Sequence, residues 1–234
     1  MKTILKSSAF LLIIMLLPFF TVGWLISCQK NGDRVSNFST EQIDLIMAGE
    51  SNQKMTLMNW FIQEDSLLLR KSSSNINFYN DKNIDHLISR MYATVTHPSH
   101  PGVGIAAPQV GILKRVIWVK RYDKPGSPFE VYLNTRITAQ SDTLKLRPDG
   151  CLSIPGVSGQ SYRYIWVEVQ YNTRDGEKKT EKITHEYTAH IFQHEIDHLE
   201  GIVWLDRVNQ AKQKEKVYID DAPLDGLWLT EETY

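Results

Sequence analysis

Residues 193–201 read Gln193-His194-Glu195-Ile196-Asp197-His198-Leu199-Glu200-Gly201. Histidines four apart on a helix stand one turn above each other on the same face. Two imidazoles placed that way grip one metal ion, and Glu195 beside the first can work on a water at that ion. The pattern is short and also occurs by chance. It defines a metal site only if the chain brings a third ligand and somewhere for a substrate to react. The helix has its own punctuation: Thr184 is a candidate N-cap, and Gly201 stands where helix C-termini favour glycine.

Working outward from this helix, the upstream sequence reads as strands. Lys178 to Ile183 is a short strand reached through a hairpin turn at Arg174-Asp175-Gly176-Glu177. Before it, Ile165 to Tyr171 alternates apolar and polar residues as a half-buried strand does. Arg115–Lys120 and Val131–Asn134 are two further strands, and Trp118 belongs to the core rather than to a cofactor platform. Asn80 to Val95 is a helix with Ile84, Leu87, Ile88, Met91, Tyr92 and Val95 on one face and His86 off it, exposed. His97 and His100 fall in a turn-rich loop with no acid or thiol beside them, which makes them loop residues rather than ligands. Downstream, Ile202–Leu205 reads as a final strand. The order predicts an α+β fold, a compact single domain of antiparallel or mixed strands around a central metal-binding helix.

Gly102-Val103-Gly104-Ile105-Ala106-Ala107-Pro108-Gln109 is dense in small residues, which let backbone approach a neighbouring strand or a ligand closely. A phosphate-binding loop is excluded, because the third glycine and the Lys-Ser/Thr ending are missing. A net charge of −1 and the lack of any basic run argue against a nucleic-acid partner.

The N-terminus has another task. Lys2 and Lys6 precede an uncharged apolar run from Ala9 to Ile26, the layout of an export signal. Leu25-Ile26-Ser27-Cys28 resembles the lipobox of bacterial lipoproteins, which implies cleavage before Cys28 and acylation of its thiol. The alternative is an uncleaved anchor, which Pro18 and Gly23 weaken. Either way the body is expected outside the cytoplasm and tethered to a membrane, as an exported protein of a bacterial cell envelope. The expected divisions are a signal at 1–27, a tether at 28–53 with a short helix near Glu41–Ala48, and a catalytic domain at 54–234.

Cys151, in Asp149-Gly150-Cys151-Leu152-Ser153, is a candidate third ligand: a thiolate with two imidazoles makes a soft site with one position left for water. Alone, it reads better as a buried structural thiol, which is common. Three segments taken together decide between these. Gly102–Gln109, Gly150–Ser153 and Gln193–His198 resemble the three motifs of peptide deformylases, in that family's order and at about its spacing. The resemblance runs from roughly Leu57 to Asp206.

It implies a compact fold holding one divalent ion, Fe²⁺ first with Zn²⁺ and Ni²⁺ as alternatives, on Cys151, His194 and His198. The implied reaction removes the formyl group from N-formylmethionyl peptides. Glu195 is then general base and acid, while the Gln109 side-chain amide and the Leu152 backbone N–H receive the oxyanion. Val103, Gly104, His190 and Ile191 border the pocket for the substrate's first side chain. Asp149 stands where the family usually carries glutamate, paired to an arginine whose position Arg163 matches. Two rivals remain: an exported metallo-amidase or peptidase on another small peptide substrate, and a non-catalytic peptide-binding protein on the same fold. The second predicts a lost ligand or a lost Glu195, and the chain shows neither. An ordinary zinc protease would leave Cys151 without a role.

Overall fold

A computed structural model of the chain describes residues 36–208 and a short strand at 228–229. The signal, Cys28 and the first part of the expected tether, residues 28–35, lie outside the described residues. Three helices come first: α1 (Thr40–Met47), α2 (Gln63–Leu69) and α3 (Lys82–Val95). Seven strands follow: β1 (Gly104–Ala106), β2 (Val116–Lys120), β3 (Phe129–Gln140), β4 (Leu144–Gly150), β5 (Val157–Tyr164), β6 (Val167–Asn172) and β7 (Lys178–Ile183). Helix α4 (Glu186–Leu199) carries the two histidines, and β8 (Trp228–Leu229) closes the series.

The strands form two antiparallel sheets. One has the order β1-β2-β3-β6-β7, the other β4-β5-β8. Alternation along β1 to β3 sends side chains to opposite faces, and both faces are buried. Ile105, Val116 and Leu133 pack with Ile84, Leu87, Met91 and Val95 of α3. Ala106, Ile117, Val119 and Tyr132 pack with Ile191, Phe192, Ile196 and Leu199 of α4. The sheet is thus sandwiched between α3 and α4. Every residue of α4 from Thr188 to Leu199 is buried, so a polar atom on it that lacks a partner inside the protein carries a cost.

This is the expected α+β architecture, with several boundaries shifted. The packed body begins well before residue 54. Phe38 and Ile46 are buried in the core, and Arg90 Nη1 donates to the Leu45 and Ile46 carbonyls at 2.8 and 2.9 Å, closing the C-terminus of α1. Helix α3 starts at Lys82 rather than Asn80, because Asp81 accepts from the Asn83 N–H and caps it. His86 is half-buried, not exposed: its Nε2 donates to the Gly49 carbonyl at 2.8 Å. The N-cap of α4 is His185, whose Nδ1 accepts from the Thr188 N–H, and not Thr184. The expected strand at Ile202–Leu205 does not form; residues 204–208 are helical. Trp118 is partly buried against the α3 side, its indole N–H donating to the Ile88 carbonyl at 2.9 Å.

Candidate active site

Helix α4 brings its two histidines together as the spacing requires, with ring centroids 5.0 Å apart. The end of β4 delivers Cys151 to the same place, its Sγ 3.2 Å from His198 Nε2. One ligand atom each from Cys151, His194 and His198 falls within 4.8 Å of the others. That is a spacing at which one ion can bind all three, and a thiolate with two imidazoles is a donor set suited to a divalent transition metal. Cys151 is a free thiol.

The charge state of the site follows from what is packed together. Burial alone would raise the Cys151 thiol, but the charge of His198 and hydrogen bonds from both imidazoles outweigh it and bring it down to about 5. Burial opposes a charged His194, yet Asp149 and the Cys151 thiolate hold that imidazole well above its usual value. Glu195 behaves in the opposite way. Burial pushes its carboxyl up to about 7, against the pull of His194 and His198. Its Oε2 is buried with no hydrogen-bond partner among the described residues. A buried carboxylate with one free oxygen and a pKa near neutrality can take and return a proton.

Gln109 closes another side of the site, on the short 3₁₀ turn Ala107–Val110 that follows β1. Its Oε1 accepts from the Ala106 N–H at 2.9 Å, which turns Nε2 toward Cys151 Sγ at 3.3 Å and Ser153 Oγ at 3.4 Å. The Leu152 backbone N–H finds no acceptor among the described residues. A cavity of about 650 Å³ opens beside these groups. Val103, Gly104, His190 and Ile191 all line it, as do Leu152 and Glu195. Gly104 explains why small residues stand in that stretch. A Cβ there would overlap Glu195 Oε1 and lie 2.8 Å from Ile191 Cγ2.

Asp149 and Arg163 meet as expected, with Nη2 3.0 Å from Oδ2, and both are buried. The shorter aspartate therefore still reaches its arginine. The structure adds partners the sequence did not disclose. Asp149 Oδ1 accepts from His194 Nδ1 at 2.8 Å, which fixes the ring and leaves its other nitrogen for a metal. Asp197, inside the helical motif, takes Arg163 Nη1 at 2.5 Å and is also bonded by Arg207. A charged residue on a helix whose whole last three turns are buried is the signal that could have exposed it. Burial would raise the Asp149 carboxyl, but His194, His190 and Arg163 together keep it well below the usual carboxylate range. Burial lowers His190 below its usual value despite the contact with Asp149.

A mixed α+β domain whose central helix presents two histidines and a carboxylate toward a thiolate defines a metal-dependent hydrolase. The family model for polypeptide deformylase matches residues 58–214. The chain belongs to that family. It is 40% identical over 154 residues to the peptide deformylase of Symbiobacterium thermophilum, across 64% of this chain and 67% of that one. It is 33% identical over 152 residues to the peptide deformylase of Finegoldia magna, across 65% of this chain and 90% of that one. Among solved structures, the class I type b peptide deformylase of Acinetobacter baumannii with Met-Ala-Ser bound matches at 36% identity. The match has a TM-score of 0.59 and covers 67% of this chain and 99% of that one. The enzyme of Thermotoga maritima matches at 30% identity and a TM-score of 0.58, over 66% of this chain and 98% of that one.

Proposed function

We propose that this protein hydrolyses the formamide of N-formylmethionyl peptides with one divalent ion, Fe²⁺ before Zn²⁺ or Ni²⁺, and works from a lipid anchor outside the cytoplasm. The observation that carries the chemistry is the placement of Glu195. Its free, buried Oε2 and its carboxyl near neutrality stand beside the Cys151, His194 and His198 donor set. The Met-Ala-Ser held by the Acinetobacter baumannii relative is the peptide that deformylation of formyl-Met-Ala-Ser would leave.

Bound to those three ligands, the ion supplies a Lewis acid and a water acidic enough to ionise near neutral pH. The protein supplies the rest. Glu195 takes the proton of the attacking water on Oε2 and passes it to the departing amide nitrogen. Water oxygen bonds to the formyl carbon, the C–N bond breaks, and formate and a free amino terminus result. Gln109 Nε2 and the Leu152 N–H donate to the oxygen that gains charge during addition. Losing one such donor typically costs about 10²–10³ in rate. The close approach of Gly104 backbone to Glu195 shields the carboxyl from solvent, which keeps it a usable base.

The anchor reading rests on Lys2, Lys6, the apolar run and Leu25-Ile26-Ser27-Cys28. An enzyme so placed would meet released formyl-peptides rather than nascent chains.

The test is anaerobic purification with metal analysis, followed by comparison of formyl-Met-Ala-Ser with its unformylated form and with longer peptides. Formate released from the formylated peptide alone is expected. Cleavage of internal peptide bonds instead would replace this reading with the peptidase one. Mass spectrometry of protein from membranes is expected to find an acylated Cys28 at the N-terminus; an intact Met1 would rule out the lipid anchor and leave the uncleaved one.

A further inference from the structure

Two clusters of metal-ligating side chains occur among the described residues. The first is Cys151, His194 and His198; the second is Asp149, His190 and His194, whose ligand atoms also lie within 4.8 Å of one another. The second cluster is satisfied by hydrogen-bond donors and has no room for a cation. Asp149 Oδ1 accepts from His194 Nδ1 at 2.8 Å and from the Gly150 N–H at 3.0 Å. Its Oδ2 accepts from Ser161 Oγ at 2.6 Å and Arg163 Nη2 at 3.0 Å, with His190 Nε2 at 3.3 Å. A guanidinium at that distance repels a second positive ion.

His190 therefore acts on the carboxylate and not on a metal. It lies one turn before His194 on α4, and both it and Asp149 are buried. His190 Nδ1 has no partner among the described residues, and the polar contact of the ring is the 3.3 Å approach of Nε2 to Asp149 Oδ2.

We infer that His190 is a positioning residue of the metal centre, donating from Nε2 to Asp149 so that this short carboxylate is held against His194 Nδ1. The inference rests on the metal site proposed above, but not on its substrate. Groups that orient a metal-ligating histidine typically contribute about 10–100-fold to metal affinity. The pocket wall at position 190 is then set by the needs of the metal, with its polar edge turned to Asp149.

The test is Co²⁺ binding to the metal-stripped full chain, followed by the thiolate-to-metal absorption band and by competition with a chelator. The wild-type protein is expected to bind one Co²⁺ per chain. His190→Leu, which removes the donor, is expected to bind about 10–100-fold more weakly, with an altered band. His190→Gln, which restores a donor at similar reach, recovers most of the affinity. His190→Leu binding within about twofold of wild type would overturn the inference, as would two Co²⁺ per chain or equal losses in His190→Leu and His190→Gln. A wild-type chain that binds Co²⁺ in this way but leaves formyl-Met-Ala-Ser untouched would refute the proposed substrate and leave the role of His190 intact.

Discussion

Glu195 lies so close to Gly104 that the glycine's missing Cβ is space the carboxylate already occupies. Strand β1, whose Gly104 lines the cavity, and the helix that holds the base are therefore in direct contact. Gly104→Ala puts a methyl group on Glu195 Oε1 and against Ile191 Cγ2, and a buried α4 cannot retreat from it without disturbing the sheet packing. Activity on formyl-peptide should fall at least about 10²-fold, the order expected when a reacting group is displaced by an ångström. Metal content should be retained, because the atoms nearest the added methyl group belong to Glu195 and Ile191, not to Cys151, His194 or His198. Steady-state kinetics with metal analysis on the same sample measures both, and unchanged kcat/KM would mean that Glu195 has freedom the packing does not suggest.

Glu195→Ala isolates the base. The side chain makes no hydrogen bond through Oε2, so truncation removes proton transfer with little loss of structure. The expected result is full metal loading with hydrolysis reduced by about 10²–10⁴-fold, the usual contribution of a positioned acid–base group. Near-normal turnover would take Glu195 out of the mechanism.

How far the sequence could be read depended on which kind of periodicity an element carried. Helix α4 was legible because its ligand spacing, its apolar residues and Gly201 all agree on one helix. The hairpin β4–β5 was not. In β5 the residues that alternate inward are Gly159, Ser161 and Arg163, so the buried face is polar and hydrophobic patterning cannot see it. In β4, Leu144 and Leu146 are exposed while Asp149 is buried, and Pro148 argues against a strand. What makes such a face stable is Arg163 bonded to Asp149 and Asp197, a pairing that exists only after folding. Helix α2 was missed for a simpler reason: of its three leucines only Leu69 is buried, and Leu67 is exposed. The site was the better-read part, since its ligands and base stand in short contiguous motifs. Its supporting groups, Ser161, Asp197 and the contact of His190 with Asp149, come from separate elements and needed the fold.

The Cys151 thiol makes a pH prediction for the metal-free protein. Its folded pKa, about 5, lies below the ordinary thiol value near 9. An acid depressed on folding contributes stability that is fully present above its unfolded pKa and is lost as pH falls through the folded one. The contribution from Cys151 should therefore decline between about pH 9 and pH 5. The ultraviolet absorbance of the thiolate, followed in metal-stripped protein, should persist at pH 7 and disappear with a midpoint near 5. Cys151→Ser should lack that signal. A midpoint above 8 would show that the two imidazoles do not hold the thiolate without a metal.

Gly201 tests whether the metal helix is held at its end as firmly as along its sides. The residue follows the cap Glu200 with φ +72°, a conformation that costs a residue with a side chain about 1–3 kcal/mol. Space forbids the side chain as well. A Cβ would overlap the Arg70 carbonyl oxygen and lie 2.6 Å from its carbon, and backbone cannot swing aside as a flexible side chain can. That backbone is tied to the helix nearby, where the Ser73 N–H donates to the Leu199 carbonyl at 2.8 Å. Gly201→Ala must then either push residues 70–73 away or shift the last turn of α4, which carries His198. Urea unfolding of the metal-free variant should show a loss of at least the conformational cost, about 1–3 kcal/mol. Weaker metal binding should accompany it, because His198 lies within the turn that moves. A variant with wild-type stability would mean that the end of α4 yields easily, and that the ligands are positioned by the buried side of the helix alone.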